Sequence, residues 1–367
     1  EDMKISPHDF NDRFADLDKE GLPLFREYDG AERAQNGTGN SWKKLPADQE
    51  YLEAGKGYIF HTSKAGVLSL PEENAEISAE DKVLALQVHA SANSANASWN
   101  FIGNPNTSYY DMDDMKFGAP ITVWDSKTQS YVAYRPGDDN YQLAPYEAFF
   151  VQTSESAKNV EFDAENQQTH KEAKKNKENK AKAKAFQPAS PTRSLINLTI
   201  TGANGTDKTR VVFNDDKALA YEAECDAAKF LSDASVPQLY SHDGQGVKYA
   251  INERPLDNAE VKLGLYAGKD GTYTIALARN NAGQVYLKDN ASGELTEISE
   301  SGVKVSIEAG ANDDRFSLVF AGAATGIESL QPSVNNHQSS IFNLSGQSVS
   351  DSYKGIVIRD GKKILKK

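Results

Sequence analysis

The feature that most restricts this chain is a pattern of short, alternating segments that occurs twice. Pro23-Leu-Phe-Arg-Glu-Tyr28-Asp29-Gly30 parallels Pro120-Ile-Thr-Val-Trp124-Asp125-Ser126. Leu52-Glu-Ala-Gly-Lys-Gly-Tyr58-Ile59-Phe60-His-Thr62-Ser63 then matches Leu143-Ala-Pro-Tyr-Glu-Ala-Phe149-Phe150-Val151-Gln-Thr153-Ser154 at a constant separation, 143 − 52 = 91. Between them Pro46, Asp48 and Tyr51 match Pro136, Asp138 and Tyr141, with 136 − 46 = 90. The repeated unit has three strands: one ending in aromatic-Asp-turn, one carrying Trp42 or Tyr131, and, after a polar loop, one of aromatic and branched residues. Slipping a strand by one residue turns every side chain to the opposite face, so Tyr58 and Phe149, Ile59 and Phe150, and Phe60 and Val151 are expected in equivalent places. One such unit buries too little surface to be stable alone, so the copies are expected to share a core.

The same alternation places strands at 22–28, 57–62, 67–70, 82–89, 99–103, 120–124, 131–134 and 148–153. One helix is expected before them, after Ser6, with Pro7 at its first position and Phe10, Phe14 and Leu17 a turn apart. Between Ala164 and Ala185 the pattern stops, and seven Lys and three Glu replace the large apolar residues. That composition cannot build a core and reads as a solvated spacer, ended by Pro188 and Pro191; a basic patch for an acidic partner is the alternative reading. Alternation returns with Ile196, Leu198 and Ile200 and continues through Val211 and Phe213, Val261 to Leu265, Tyr273 to Leu277, Val303 to Ile307, and Phe316 to Phe320. Turns at Asn204-Gly205, Asp243-Gly244, Asp270-Gly271 and Ser292-Gly293 make this an expected antiparallel sandwich. The fold class is therefore mainly β: two antiparallel β-sandwich-like domains joined by a charged linker, with a short C-terminal β-hairpin tail turning at Asp360-Gly361. The expected divisions are 1–163 with the duplicated unit, 164–193 as Lys-rich linker, 194–322 as sandwich and 323–367 as tail.

Charge and composition narrow the function. Lys plus Arg is 40 and Asp plus Glu is 53, a net of −13, which argues against a nucleic acid or an anionic bilayer as principal partner. Apolar runs fall far short of the roughly 20 residues of a membrane helix, so no membrane span is expected. Cys225 stands alone, which excludes an internal disulfide and multi-cysteine metal sites. Residues 1–5 carry no signal-peptide pattern, so the chain is expected to be a trimmed piece.

No catalytic motif emerges. Asp111, Asp113 and Asp114 are close enough to suggest calcium, yet the glycine and terminal glutamate of an EF-hand loop are missing, and a turn or helix start is the better reading. Asp138-Asp139 and Asp313-Asp314 are weaker versions of the same signal. The six histidines, His8, His61, His89, His170, His242 and His337, never reach metal-ligand spacing. No nucleophile elbow, phosphate loop or dinucleotide fingerprint occurs, and Cys225 lacks a motif. No catalytic residue, metal or cofactor is expected, and the chain is expected not to be an enzyme. The candidate binding surface is an aromatic platform of Trp99, Tyr109, Tyr110, Trp124, Tyr131, Tyr134 and Tyr141, residues that give large contact area to a glycan or peptide; the competing reading buries them in the core.

The last residues carry a resemblance. Ile341-Phe-Asn-Leu-Ser-Gly346-Gln, then Lys354-Gly355-Ile-Val-Ile-Arg-Asp-Gly361-Lys362-Lys363-Ile-Leu-Lys-Lys367, resembles the C-terminal sorting-type tails of secreted and surface proteins of the Bacteroidetes. Residues 99–105, 119–124, 236–241 and 249–255 look like segments that precede such tails. The resemblance implies a β-sandwich-like tail read by an export or anchoring machinery through Gly346, Lys354, Gly355, Gly361, Lys362 and Lys363. It also implies a secreted or cell-surface location. The expected function is a non-enzymatic extracellular module, adhesive or structural, with an unidentified glycan or host-matrix protein as ligand; the alternative is a carbohydrate-binding or carbohydrate-active accessory module.

Overall fold

Alternating sequences build sheets, and the computed structural model of the protein is mainly β. It describes residues 3–4, 25–37, 41–45, 51–60, 80–168, 193–231, 235–256, 260–320, 341–343, 348–349, 355–359 and 362–366. The expected helix after Ser6, the strand at 67–70, linker residues 169–192, Gly346, Lys354 and Gly361 lie outside these. Residues Glu1–Ala323 form one compact unit and Ala324–Lys367 a second.

The first unit opens with β1 (Met3–Lys4), β2 (Phe25–Tyr28), helix α1 (Gly30–Asn36), β3 (Trp42–Lys44), β4 (Tyr51–Leu52) and β5 (Tyr58–Phe60). Next come β6 (Lys82–Ala85), β7 (Trp99–Gly103), β8 (Tyr109–Asp111), β9 (Ile121–Asp125), β10 (Ser130–Tyr134), β11 (Gln142–Leu143), β12 (Ala148–Gln152), β13 (Asn159–Phe162) and β14 (Gln167–Gln168). The duplication is present in strand order and in register. One sheet runs β3-β2-β5, the other β10-β9-β12 with β7 added beyond β12. Arg26 faces Ile59 and Phe25 faces Phe60 in the first copy; Thr122 faces Phe150 and Ile121 faces Val151 in the second. Tyr28 opposite Trp42 likewise corresponds to Trp124 opposite Tyr131. β4 pairs with β1 as β11 pairs with β8.

The copies differ between their first two strands. A turn at residues 126–129 joins β9 to β10, whereas α1 fills that place in the first copy. Asp29 caps the helix, its Oδ1 accepting from Glu32 N at 2.9 Å. Gly30 at its first position is required sterically, because a Cβ there would stand 2.2 Å from Trp99 O. Alternation sends Ile121, Val123, Phe149 and Val151 to one face of the second sheet, where they pack with Tyr110, Leu143, Val160 and Phe162. Phe101, Phe150 and Tyr131 line the other face.

Eleven strands form the second region: β15 (Ser194–Gly202), β16 (Gly205–Phe213), β17 (Ala227–Ala228), β18 (Gln238–His242), β19 (Lys248–Arg254), β20 (Glu260–Ala267), β21 (Gly271–Asn280), β22 (Val285–Asp289), β23 (Glu294–Glu297), β24 (Val303–Ile307) and β25 (Gly310–Phe320). The sequence suggests a two-sheet sandwich; the strands instead form one continuous sheet ordered β23-β22-β25-β20-β18-β19-β16-β15-β21-β24, with β17 on β19. All pairings are antiparallel except β16 with β19. Residues 298–299 bring the edges together, since Leu277 N donates to Ser299 O and Ile298 N to Val285 O, so the sheet is nearly closed. The alternating positions read from sequence all point inside: Leu198, Ile200, Val211, Leu263, Ile275 and Leu318 are completely buried, each worth about 2 kcal/mol by transfer from water.

Strands β18 and β19 are buried on both faces over most of their length, because the duplicated region covers their outer side. Ala133 of β10 packs there on Ala227, Ala250 and Ile251. This corrects the expectation of two separate domains: across 164–193 the chain joins two parts of one unit. The linker boundary also moves, as Gln167 in β14 is still paired opposite Tyr110. In the second unit, β26 (Ile341–Asn343), β27 (Ser348–Val349), β28 (Gly355–Arg359) and β29 (Lys362–Lys366) form a sheet ordered β27-β26-β28-β29. Arg359 lies opposite Lys362, the register of the expected hairpin.

Candidate functional site

Alternation decides the fate of the aromatic platform. Trp124 of β9 and Phe150 of β12 share a face with Thr122, and Phe150 becomes the centre of a buried cluster. Its ring lies 4.9 Å from Tyr28, 4.4 Å from Phe101 and 4.7 Å from Phe230. Trp99 is buried beside it, and its indole N–H donates to Ala95 O at 2.8 Å. Tyr110 is buried in the opposite core, where its hydroxyl accepts from Asp163 N at 2.8 Å. Tyr134 and Tyr141 stack at 4.3 Å with Lys208 Nζ over the Tyr134 ring, and Tyr141 donates to Glu147 at 2.5 Å. Tyr109 and Tyr131 are half-buried, and Trp124 alone of the seven is exposed, at 46%, packed edge-on at 5.0 Å against Tyr131. The expectation of one aromatic platform is therefore corrected: the residues divide among two cores, the half-buried Tyr109 and the exposed Trp124, because successive strand residues face opposite sides.

The cluster holds residues that sequence reasoning missed. Tyr249 reaches it from β19, Tyr221 and Phe230 from the irregular segments that flank β17, and Arg33 from α1. The Arg33 guanidinium lies 4.1 Å from the Phe230 ring centre and 4.8 Å from that of Trp99, a cation–π contact with both rings of an edge-to-face pair. Tyr221 donates to Gln152 Oε1 at 2.6 Å, and Gln152 donates to Ser94 O and Ala97 O. Burial pushes the hydroxyls of Tyr28, Tyr131 and Tyr221 up, so all three stay neutral beside the cation, and that of Tyr28 accepts from Arg33 at 3.4 Å. No period-2 signal marks Phe230, which lies in an irregular stretch.

Beside this seam is an ionic junction built from the loop that follows β10. Asp138 and Asp139 were the weaker metal candidates; the structure turns both toward arginines. Arg193 grips Asp138 with two bonds of 2.7 and 2.6 Å and reaches Glu253 at 3.2 Å. Arg210 grips Asp139 at 2.7 and 2.5 Å while its Nε donates to Asn197 at 2.7 Å. Arg135 lies directly against the Glu253 carboxylate, to which Asn214 also donates at 2.7 Å. Three guanidiniums thus meet three carboxylates, drawn from both regions. Burial raises the Asp138 carboxyl, but the hydrogen bonds and charge of Arg193 outweigh it and hold the group below its ordinary range. Burial, then Arg193, pulls the Arg135 guanidinium down.

Asp226 supports the junction from beneath. Its oxygens accept from Glu253 N at 2.7 Å and Glu222 N at 2.8 Å, while burial pushes its carboxyl well above the usual range. Burial, then Asp226, pushes the neighbouring Cys225 thiol up to about 12, which disfavours a thiolate nucleophile. A second polar cluster joins Tyr240, Lys248 and Asp313: Tyr240 donates to Asp313 at 2.6 Å and Lys248 Nζ donates to the Tyr240 hydroxyl at 2.7 Å. Asp111 caps a short helical turn, accepting from Asp113 N at 3.1 Å. Among the described residues no group of three His, Cys, Asp or Glu is placed to hold a metal, and no helix is long and apolar enough to cross a membrane. Of the tail residues, Gly355 opens β28, and Lys362 and Lys363 lie in β29.

Residues 121–320 match the family described as a domain of unknown function (DUF8693), a span of 320 − 121 + 1 = 200 residues and so more than half of the chain. The chain belongs to that family. No curated protein and no solved structure matches it. The DUF8693 segment starts at the first residue of β9 and stops at the last of β25. It therefore contains the second copy of the repeat, the nearly closed sheet and every charged residue of the junction, and omits the first copy and the tail.

Proposed function

We propose that this chain is a non-enzymatic extracellular module, adhesive or structural, of a secreted or surface-exposed bacterial protein, with its tail engaging an export or anchoring machinery. The observation that carries this reading is the junction: Arg135, Arg193 and Arg210 are all engaged with Asp138, Asp139 and Glu253 in fixing two β regions to each other. Groups that could polarise a substrate are here turned onto protein partners, an arrangement suited to rigidity. The sequence resemblance of residues 341–367 supports the location. A second reading, a carbohydrate-binding module, is favoured by exposed Trp124 resting on Tyr131.

The test is a binding screen of the full chain against glycan arrays and host-matrix proteins, with the eluted ligands checked by mass. Saturable binding with ligand returned intact is expected, and cleaved or modified ligand would overturn the non-enzymatic reading. Glycan binding lost in Trp124→Ala would decide for the second reading. Deleting residues from Ile341 onward is expected to reduce surface delivery in the native bacterium; unchanged delivery would remove the sorting role.

A further inference from the structure

The most deeply buried Lys–carboxylate pair among the described residues takes no part in the junction. Lys229 and Asp207 side chains are each 1% exposed, and Nζ lies 2.7 Å from Oδ1 and 2.6 Å from Oδ2. Elsewhere lysine pairs lie near water: Lys56 with Glu27, Lys248 with Asp313 and Lys288 with Glu260 all keep substantial exposure on both partners. The other strongly buried cations at the centre of the unit are arginines, whose delocalised guanidinium is a poor nucleophile.

The surroundings of the pair are arranged for one chemistry. Leu239 N–H of β18 donates to Asp207 Oδ2 at 2.7 Å, and Lys208 O accepts from Lys229 Nζ at 3.3 Å. The first contact places a backbone donor on a carboxyl oxygen, as an oxyanion site does. The second orients the amine. Holding an ammonium and a carboxylate this far from water carries a desolvation cost that their attraction often fails to repay, and condensation removes both charges. Fixed reacting atoms also make the step effectively unimolecular.

We propose that Lys229 and Asp207 form an intramolecular isopeptide bond. Nζ gives a proton to Oδ1 and its lone pair attacks Cγ, making the N–C bond. The charge that develops on Oδ2 is held by Leu239 N–H. The Cγ–Oδ1 bond breaks, Oδ1 leaves as water with two hydrogens that came from Nζ, and Oδ2 remains as the amide carbonyl. Ammonium and carboxylate give amide and water, with no oxidant, cofactor or second substrate. The product keeps one N–H, placed to donate to Lys208 O. The link ties β16 to the residue after β17 and closes a covalent ring around the irregular stretch 214–226, limiting the freedom of the unfolded chain.

The test is the intact mass of the full chain under denaturing conditions, followed by a proteolytic map. The expected mass is lighter than that of the sequence by one water, with a branched peptide joining the segments around Asp207 and Lys229. Lys229→Arg keeps the cation and should restore the lost water; Asp207→Asn should lose ammonia in place of water, since the carboxamide nitrogen becomes the leaving group. A native chain at its full sequence mass would overturn the proposal. So would a water loss that persists in Lys229→Arg, which would place the dehydration elsewhere, at an aspartyl succinimide for example.

Discussion

The two copies of the repeated unit share strand order and register but not surroundings. Ile59 and Phe150 occupy the same place, yet Ile59 is 36% exposed and Phe150 is 2% exposed. Tyr28 and Trp124 are equivalent too; Tyr28 packs on Phe150, while Trp124 projects to solvent. Local pattern thus builds the same three strands twice, and what docks on each decides whether a position is core or surface. The second copy acquired a partner, the outer face of β19, and its loop after β10 provides the acids of the junction.

The sharpest way to break this comparison is paired truncation. Phe150→Ala should cost about 3–5 kcal/mol in chemical denaturation, as burial of a large aromatic with partial collapse of the cavity implies. Ile59→Ala should cost below about 1 kcal/mol, in line with an exposed position. Equal losses would mean that the copies are energetically alike. Next in size, Glu253→Gln should destabilise by about 3 kcal/mol, because Arg135 and Arg193 lose their buried counter-charge. That cost should persist in high salt, since buried pairs are little screened; a cost erased by salt would show the junction to be a surface feature.

A smaller effect is expected at Asp226→Asn, about 1–3 kcal/mol, because one of the backbone donors of Glu222 and Glu253 loses its acceptor. Full stability in thermal melts would remove Asp226 from the support of the junction. The smallest difference concerns acid. Asp138 in the second copy and Asp29 in the first both have carboxyls held below the ordinary 3.8, by Arg193 and by Lys43 respectively, against the opposing effect of burial. The folded state binds these protons less readily than the unfolded state. Their contribution is therefore complete above the unfolded value and is lost as pH falls through the folded one. Stability measured below about pH 4 should fall less steeply in Asp138→Asn than in the native chain, with a weaker change in Asp29→Asn because Lys43 is exposed. Reversal of that order would argue that exposure does not set the strength of these pairs.

Much of this was legible residue by residue. The equivalence of Tyr58 with Phe149 and of Trp42 with Tyr131 could be read because side-chain direction along a strand depends on neighbours two positions away. The inward set from Ile196 to Phe320 was legible for the same reason. The ionic junction was not: Asp138 and Arg193 are 55 residues apart, and Asp139 and Arg210 are 71 apart. A neighbouring pair of acids carries the same local signal whether it caps a turn, binds a metal or meets arginines. The aromatic platform failed on a related point, since counting aromatics in a stretch ignores which face each takes.

Composition and period determined that this chain would be β-rich, would repeat a three-strand unit and would end in paired strands, because those outcomes depend on interactions within a few residues. Tertiary structure decided that the regions on either side of the lysine-rich stretch form one unit and that Phe150 is a centre of packing. It also decided that Asp207 meets Lys229 out of contact with water. Each of these depends on two segments far apart in sequence excluding water between them, and no local pattern encodes which distant face will arrive.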